Sequence, residues 1–65
     1  MSNEMSSKKA YQQGWRDSRS VRWDADMDAA ENAFLNKAGA GRFRDDWIDG
    51  WTHYAADMPN RYKSA

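Results

Sequence analysis

The pattern aromatic-x-x-Gly-Trp occurs twice in this chain, over residues 11–15 and 47–51. Both copies lie in stretches whose apolar residues recur every three or four positions, which is the period of an α-helix. A glycine inside a helix costs about 1 kcal/mol relative to alanine, so a repeated one needs a packing or functional reason. The repeat predicts two helices that approach one another closely at Gly14 and Gly50.

The length of 65 residues limits the chain to one small domain, which buries little of its surface and depends on good packing. Cysteine is absent, so there is no disulfide or thiolate metal site, and His53 is the only histidine. We predict a single helical domain over residues 1–65. Within it we expect a disordered N-terminal tail at 1–6 and a loose C-terminal tail at 59–65.

The predicted fold is all-α, a small bundle of two or three helices without strands. Ser6 or Ser7 can cap the first helix, and Asp24 the second. Gly39 is placed as the C′ glycine of the second helix, and Pro59 ends the third. The approximate helix bounds are 7–20, 25–38 and 42–58.

The glycine-containing faces of the first and third helices are expected to pack against each other. Residues three or four positions apart share a helix face, which groups the six residues of this contact. They are Tyr11, Gly14, Trp15, Trp47, Gly50 and Trp51. We expect each glycine to accommodate the opposing indole, with Phe34 and Met27 closing the core. Burial of aromatic surface at about 25 cal/mol per Å² outweighs the cost of the glycines.

The charges are segregated along the chain although ten basic residues balance ten acidic ones. Residues 1–23 carry five basic and two acidic side chains, whereas residues 24–41 carry four acidic and one basic. Arginine forks bind phosphate and indoles stack on unpaired bases, so the basic part suggests RNA binding. A solvent-exposed helix face is the alternative interpretation. The candidate RNA-binding residues are Lys8, Lys9, Arg16, Arg19, Arg22, Trp23, Arg42 and Arg44.

Three further elements of the chain are A-x-x-x-G at residues 10–14, N-x-aromatic at 32–34 and W-x-x-G-W-x-x-x-A at 47–55. Together they resemble the ribosome modulation factor family. The resemblance implies a small, mainly two-helix protein that docks on the small ribosomal subunit near the 3′ end of its ribosomal RNA. Members of that family promote inactive ribosome dimers, so the resemblance also implies translation regulation.

Several function classes are disfavoured by the residues themselves. No nucleophile-base pair is recognisable and a chain this small encloses a ligand pocket with difficulty, so we predict a protein that is not an enzyme. No metal site or cofactor is expected. The apolar runs are too short to span a membrane and the start of the chain lacks the pattern of a signal peptide, which predicts a cytoplasmic protein.

A second class of binder remains open, because the neutral net charge does not favour an RNA target. In this alternative the protein is an inhibitor of the kind that phages and mobile elements encode. It would bind a host protein through the acidic second helix or an aromatic surface. A homodimer is also expected, since the basic and acidic parts are complementary between copies.

Overall fold

The structure, a computed structural model, describes residues 4–20 and 27–62. Three α-helices and one short 3-10 helix account for most of these residues, and no strand occurs among them. The α-helices are α1 (Ser7–Ser20), α2 (Met27–Leu35) and α3 (Arg44–Ala55), and the 3-10 helix Ala40–Phe43 leads directly into α3. The predicted all-α fold is confirmed.

Helix α1 begins with a serine cap, and the structure assigns that role to Ser6 rather than Ser7. The Ser6 hydroxyl accepts the backbone N–H of Lys9 at 3.2 Å. The Ser6 carbonyl accepts the N–H of Ala10 at 2.8 Å, which is the first helical hydrogen bond. The Ser7 hydroxyl instead donates to the Asp46 carboxylate on α3, 3.0 Å away.

Helix α2 ends at Leu35, three residues before the predicted end at 38, while residues 25 and 26 lie outside the described part of the chain. Lys37 N–H bonds to the Phe34 carbonyl and tightens the last turn. The chain then reverses through Gly39, whose φ of 74° is left-handed, and brings the fully buried Ala40 into the core. Gly39 therefore precedes the 3-10 helix instead of capping α2.

Helix α3 also is shorter than the predicted 42–58. Asp57 has a left-handed φ of 62° and its N–H bonds to the Tyr54 carbonyl, while Met58 N–H bonds to the His53 carbonyl at 2.8 Å. These two bonds form a Schellman motif with Asp57 at the position that usually holds glycine. The helix ends at Ala55 because of this motif and not because of Pro59.

Helices α1 and α3 meet at the two glycines in a reciprocal contact. A Cβ on Gly14 would overlap the Trp47 carbonyl oxygen, and one on Gly50 would overlap the Tyr11 carbonyl oxygen. The predicted glycine-mediated contact is therefore present, but its detail is corrected. Each glycine accommodates the opposing main chain, and not an indole, since an added Cβ would also lie only 2.8 Å from Trp15 N or the Trp47 carbonyl carbon.

The core forms on one side of this contact around Trp47, which is fully buried. Its ring stacks on Phe34 with centroids 5.8 Å apart and contacts Trp51 at 5.2 Å. Met27 packs against this cluster, as expected. Trp15 is outside the cluster and is only partly buried, with its ring edge-on to Tyr54 at 4.8 Å.

The segment after Pro59 packs against α1 as far as Tyr62, in contrast to the expected loose tail; residues 63–65 lie outside the described part. Tyr11 lies at the centre of this contact, because its hydroxyl accepts the N–H of Arg61 at 3.1 Å. The rings of Tyr11 and Tyr62 meet edge to face at 5.3 Å.

In the expected N-terminal tail, Met5 packs against the core, and residues 1–3 lie outside the described part.

Candidate RNA-binding surface

Four of the predicted RNA-binding residues lie on the outward face of α1. Lys8, Lys9, Arg16 and Arg19 are all exposed, whereas the buried residues of this helix occupy the opposite side. Lys9 and Arg16 lie on the same side of the helix, about two turns apart along its axis. Lys8 and Arg19 likewise share a side, about three turns apart. The structure therefore presents these cations as one surface.

The one carboxylate of α1 points away from that surface. Asp17 accepts the indole N–H of Trp47 at 3.0 Å and the side-chain amide of Gln13 at 2.8 Å. The bond from Trp47 holds the negative charge against α3, where it satisfies the polar edge of a buried ring, and the bond from Gln13 lies within α1. The outward face of α1 is consequently free of acidic side chains, even though Asp17 lies between basic residues in the sequence.

Sequence reasoning did not assign this role to Asp17. The sequence shows a single acidic residue within the basic stretch of residues 8–22, but it does not show that a buried indole N–H faces this residue. That partner lies thirty positions away in the chain.

The remaining predicted cations are placed differently. Arg42 is exposed on the 3-10 helix, but Arg44 pairs with Glu31 on α2, with 2.5 Å between Nε and Oε2. This pair compensates the charge of Arg44 at the start of α3, where the helix dipole disfavours a cation. Arg22 and Trp23 lie outside the described residues, since α1 is described only to Ser20.

Among the residues predicted to form the contact between the first and third helices, Tyr11, Gly14, Trp47 and Gly50 are buried where α1 and α3 meet. Trp15 lies at the margin, where its indole N–H donates to the Met58 carbonyl at 3.3 Å. Arg19 lies over the Trp15 ring at 5.6 Å from its centroid.

His53 and Arg61 both contact Tyr11. The Tyr11 hydroxyl lies 2.5 Å from His53 Nδ1. Arg61 lies over the Tyr11 ring at 4.5 Å and pairs with Asp49 at 3.2 Å. Hydrogen bonds to Tyr62 and then to Asp49 raise the pKa of Arg61 above its ordinary value, so this guanidinium stays charged.

Lys37 was missed by sequence reasoning because it lies within the acidic part of the chain. The turn after α2 carries it to a groove that also contains Lys9 and Arg16 of α1. A cation just after a helix end is ordinarily explained by its favourable interaction with the helix dipole, so the sequence gives no separate reason to assign Lys37 to a binding surface.

The described residues hold no group of three or more side chains with metal-ligand chemistry. In the same residues no helix is both long and apolar enough to cross a bilayer. On the acidic side, Asp28 is exposed and Glu31 is paired, whereas Asp24 and Asp26 are outside the described part.

No protein-family model matches this chain, and no curated protein or solved structure matches it with significant similarity.

Proposed function

We propose that the protein is a non-catalytic binder of RNA that docks on the small ribosomal subunit through the outward face of α1 and so modulates translation. The observation that carries the proposal is the segregation of charge on that helix. Four cations face outward while Asp17 is hydrogen-bonded to Trp47 and Gln13. A locally basic surface binds phosphates even when the whole chain is neutral. At about 0.1 M salt, charges more than about 10 Å from a bound phosphate are largely screened, so the nearby cations dominate.

The test measures binding to purified small ribosomal subunits over a series of salt concentrations. Neutralising Lys8, Lys9, Arg16 and Arg19 to glutamine should weaken binding. It should also reduce the slope of the logarithm of the binding constant against the logarithm of the salt concentration by about 0.7 to 0.9 per lost phosphate contact. As a control, Asp45→Asn removes an exposed charge of opposite sign on α3 and should leave binding unchanged or tighten it. Absence of wild-type binding at low salt would refute the ribosome proposal.

A protein target is the second candidate, and an apolar surface favours it. Met58 is 48% exposed and borders a shallow cavity with Trp15, Tyr54 and Pro59. Exposed apolar patches rimmed by polar residues often mark protein contacts. An inhibitor of a host protein would use this surface.

An affinity pull-down from cell lysate, with and without ribonuclease, separates the two candidates. Capture of ribosomal components that ribonuclease abolishes supports the first proposal. Capture of one protein that resists ribonuclease and is lost in Met58→Ser supports the second.

A further inference from the structure

We infer that a groove between α1 and the turn after α2 binds one single strand of RNA, with backbone phosphates in its basic half and an unpaired base in its apolar half. This inference rests on the proposed RNA binding and specifies where the strand lies. It also identifies two groove residues, Lys37 and Phe43, that the sequence patterns do not single out as RNA contacts.

The basic half of the groove has a volume of about 500 Å³. Lys9 and Arg16 border it from α1, and Lys37 borders it from the turn after α2. Gln12 and Gln13 complete its polar lining, and no carboxylate-bearing residue lines it among residues 4–20 and 27–62. Cations that converge from two separate elements on one concave surface form a favourable position for an anion.

The charges in this half are not neutralised by the rest of the described chain. The Lys9 ammonium donates to the main-chain carbonyl of Glu4 at 3.1 Å, a neutral acceptor. The ion pairs of the described residues involve Arg44 and Arg61, and neither belongs to the groove's basic half. Lys9, Arg16 and Lys37 therefore retain their capacity to bind phosphate.

The apolar half adjoins the basic half at Met5 and Ala38, which border both. It has a volume of about 440 Å³, and its further lining residues are Phe43, Gly39, Arg42 and Glu4. A partly buried aromatic ring offers a face on which a base can stack. Glu4 and Arg42 bring one charge of each sign to this cavity, whereas the described lining of the basic half carries three cations and no carboxylate, which favours the basic half for the phosphates.

This combination fits a single strand better than a duplex. In a duplex the base faces are already stacked and an aromatic ring in a groove cannot reach them, whereas a single strand offers phosphates and base faces together. An acidic peptide would satisfy the three cations but would gain less from the Phe43 ring. Comparison with such a peptide therefore belongs in the test.

The experiment uses the full chain and a fluorescein-labelled 12-nucleotide oligouridylate, with a labelled 12-residue polyglutamate in parallel. The variant Lys9→Gln with Arg16→Gln removes two groove cations. The matched comparison variant, Lys8→Gln with Arg19→Gln, removes the same two residue types from the part of the outward face of α1 that lies outside the groove. Circular dichroism verifies that both variants fold.

The groove variant should bind the oligouridylate about 10- to 30-fold more weakly at 0.1 M salt. Each lost phosphate contact lowers the slope of the logarithm of the binding constant against the logarithm of the salt concentration by about 0.7, and the variant loses two. The comparison variant should lose less, about threefold, because Lys8 and Arg19 belong to the wider basic face that attracts the strand and not to the groove that holds it. Lys37→Gln alone should also weaken binding. Phe43→Leu, which keeps an apolar side chain, should weaken it by about fivefold or more through lost stacking.

Each contrary outcome has a distinct meaning. Equal losses in the two double variants overturn the groove and leave the whole outward face of α1 as the RNA surface. Polyglutamate that binds as tightly as the oligouridylate overturns the choice of RNA. Binding of oligouridylate in the groove without binding to small subunits refutes the ribosome proposal alone, and a wild type that binds neither overturns both.

Discussion

At the scale of single residues, Gly14 and Gly50 are the positions where substitution is most restricted. Alanine at Gly50 gains about 1 kcal/mol of helix propensity, but its Cβ would meet main-chain atoms of Tyr11 and Trp15 that cannot rotate away. We expect the clash to dominate and the free energy of unfolding to fall by about 1 to 3 kcal/mol. Thermal unfolding should show a melting temperature lower by several degrees.

Gly41→Ala is the control for this prediction. A Cβ at Gly41 would meet nothing within 4 Å, and the φ of this residue is not positive. The control should unfold at the wild-type temperature or slightly above it. Equal melting temperatures for Gly50→Ala and Gly41→Ala would contradict the close approach of the two helices.

At the scale of the elements, the end of α3 depends on one strained backbone position. Asp57 adopts a left-handed φ of 62° that costs an L-residue about 1 kcal/mol, and glycine adopts it freely. Asp57→Gly should therefore raise the free energy of unfolding by up to about 1 kcal/mol. Chemical denaturation monitored by tryptophan fluorescence measures this gain.

Ala56→Gly provides the comparison one residue earlier. Ala56 has an ordinary φ of −93°, so glycine there adds only flexibility to the unfolded chain and should reduce stability. The two substitutions are thus expected to change stability in opposite directions. A loss of stability in Asp57→Gly would contradict the proposed origin of the helix end.

At the scale of the whole molecule, the arrangement of charge favours self-association. The outward face of α1 is basic, while α3 exposes Asp45, so two copies can meet with opposite charges facing each other. We expect a dimer at high protein concentration that salt weakens. Analytical ultracentrifugation over a range of concentrations and salt tests this. A monomer under every condition would remove the prediction.

The fold class and the central helix contact could be predicted from the sequence because both depend on local periodicity. The spacing of Tyr11, Gly14 and Trp15, repeated at residues 47–51, identifies one face on each of two helices. Since a glycine in a helix interior is costly, the repeat also indicates that the two faces meet. The basic character of α1 is equally visible in the chain.

The tertiary structure decided where the helices end and which charges share a surface. Helix α2 stops at Leu35 because Ala40 must enter the core, and Asp17 faces inward because Trp47 offers it a buried N–H donor. Lys37 joins Lys9 and Arg16 through the turn that this early helix end creates. Each outcome depends on partners distant in the chain, which local periodicity cannot specify. The sequence alone therefore determined the helices and their shared face, while packing determined the groove.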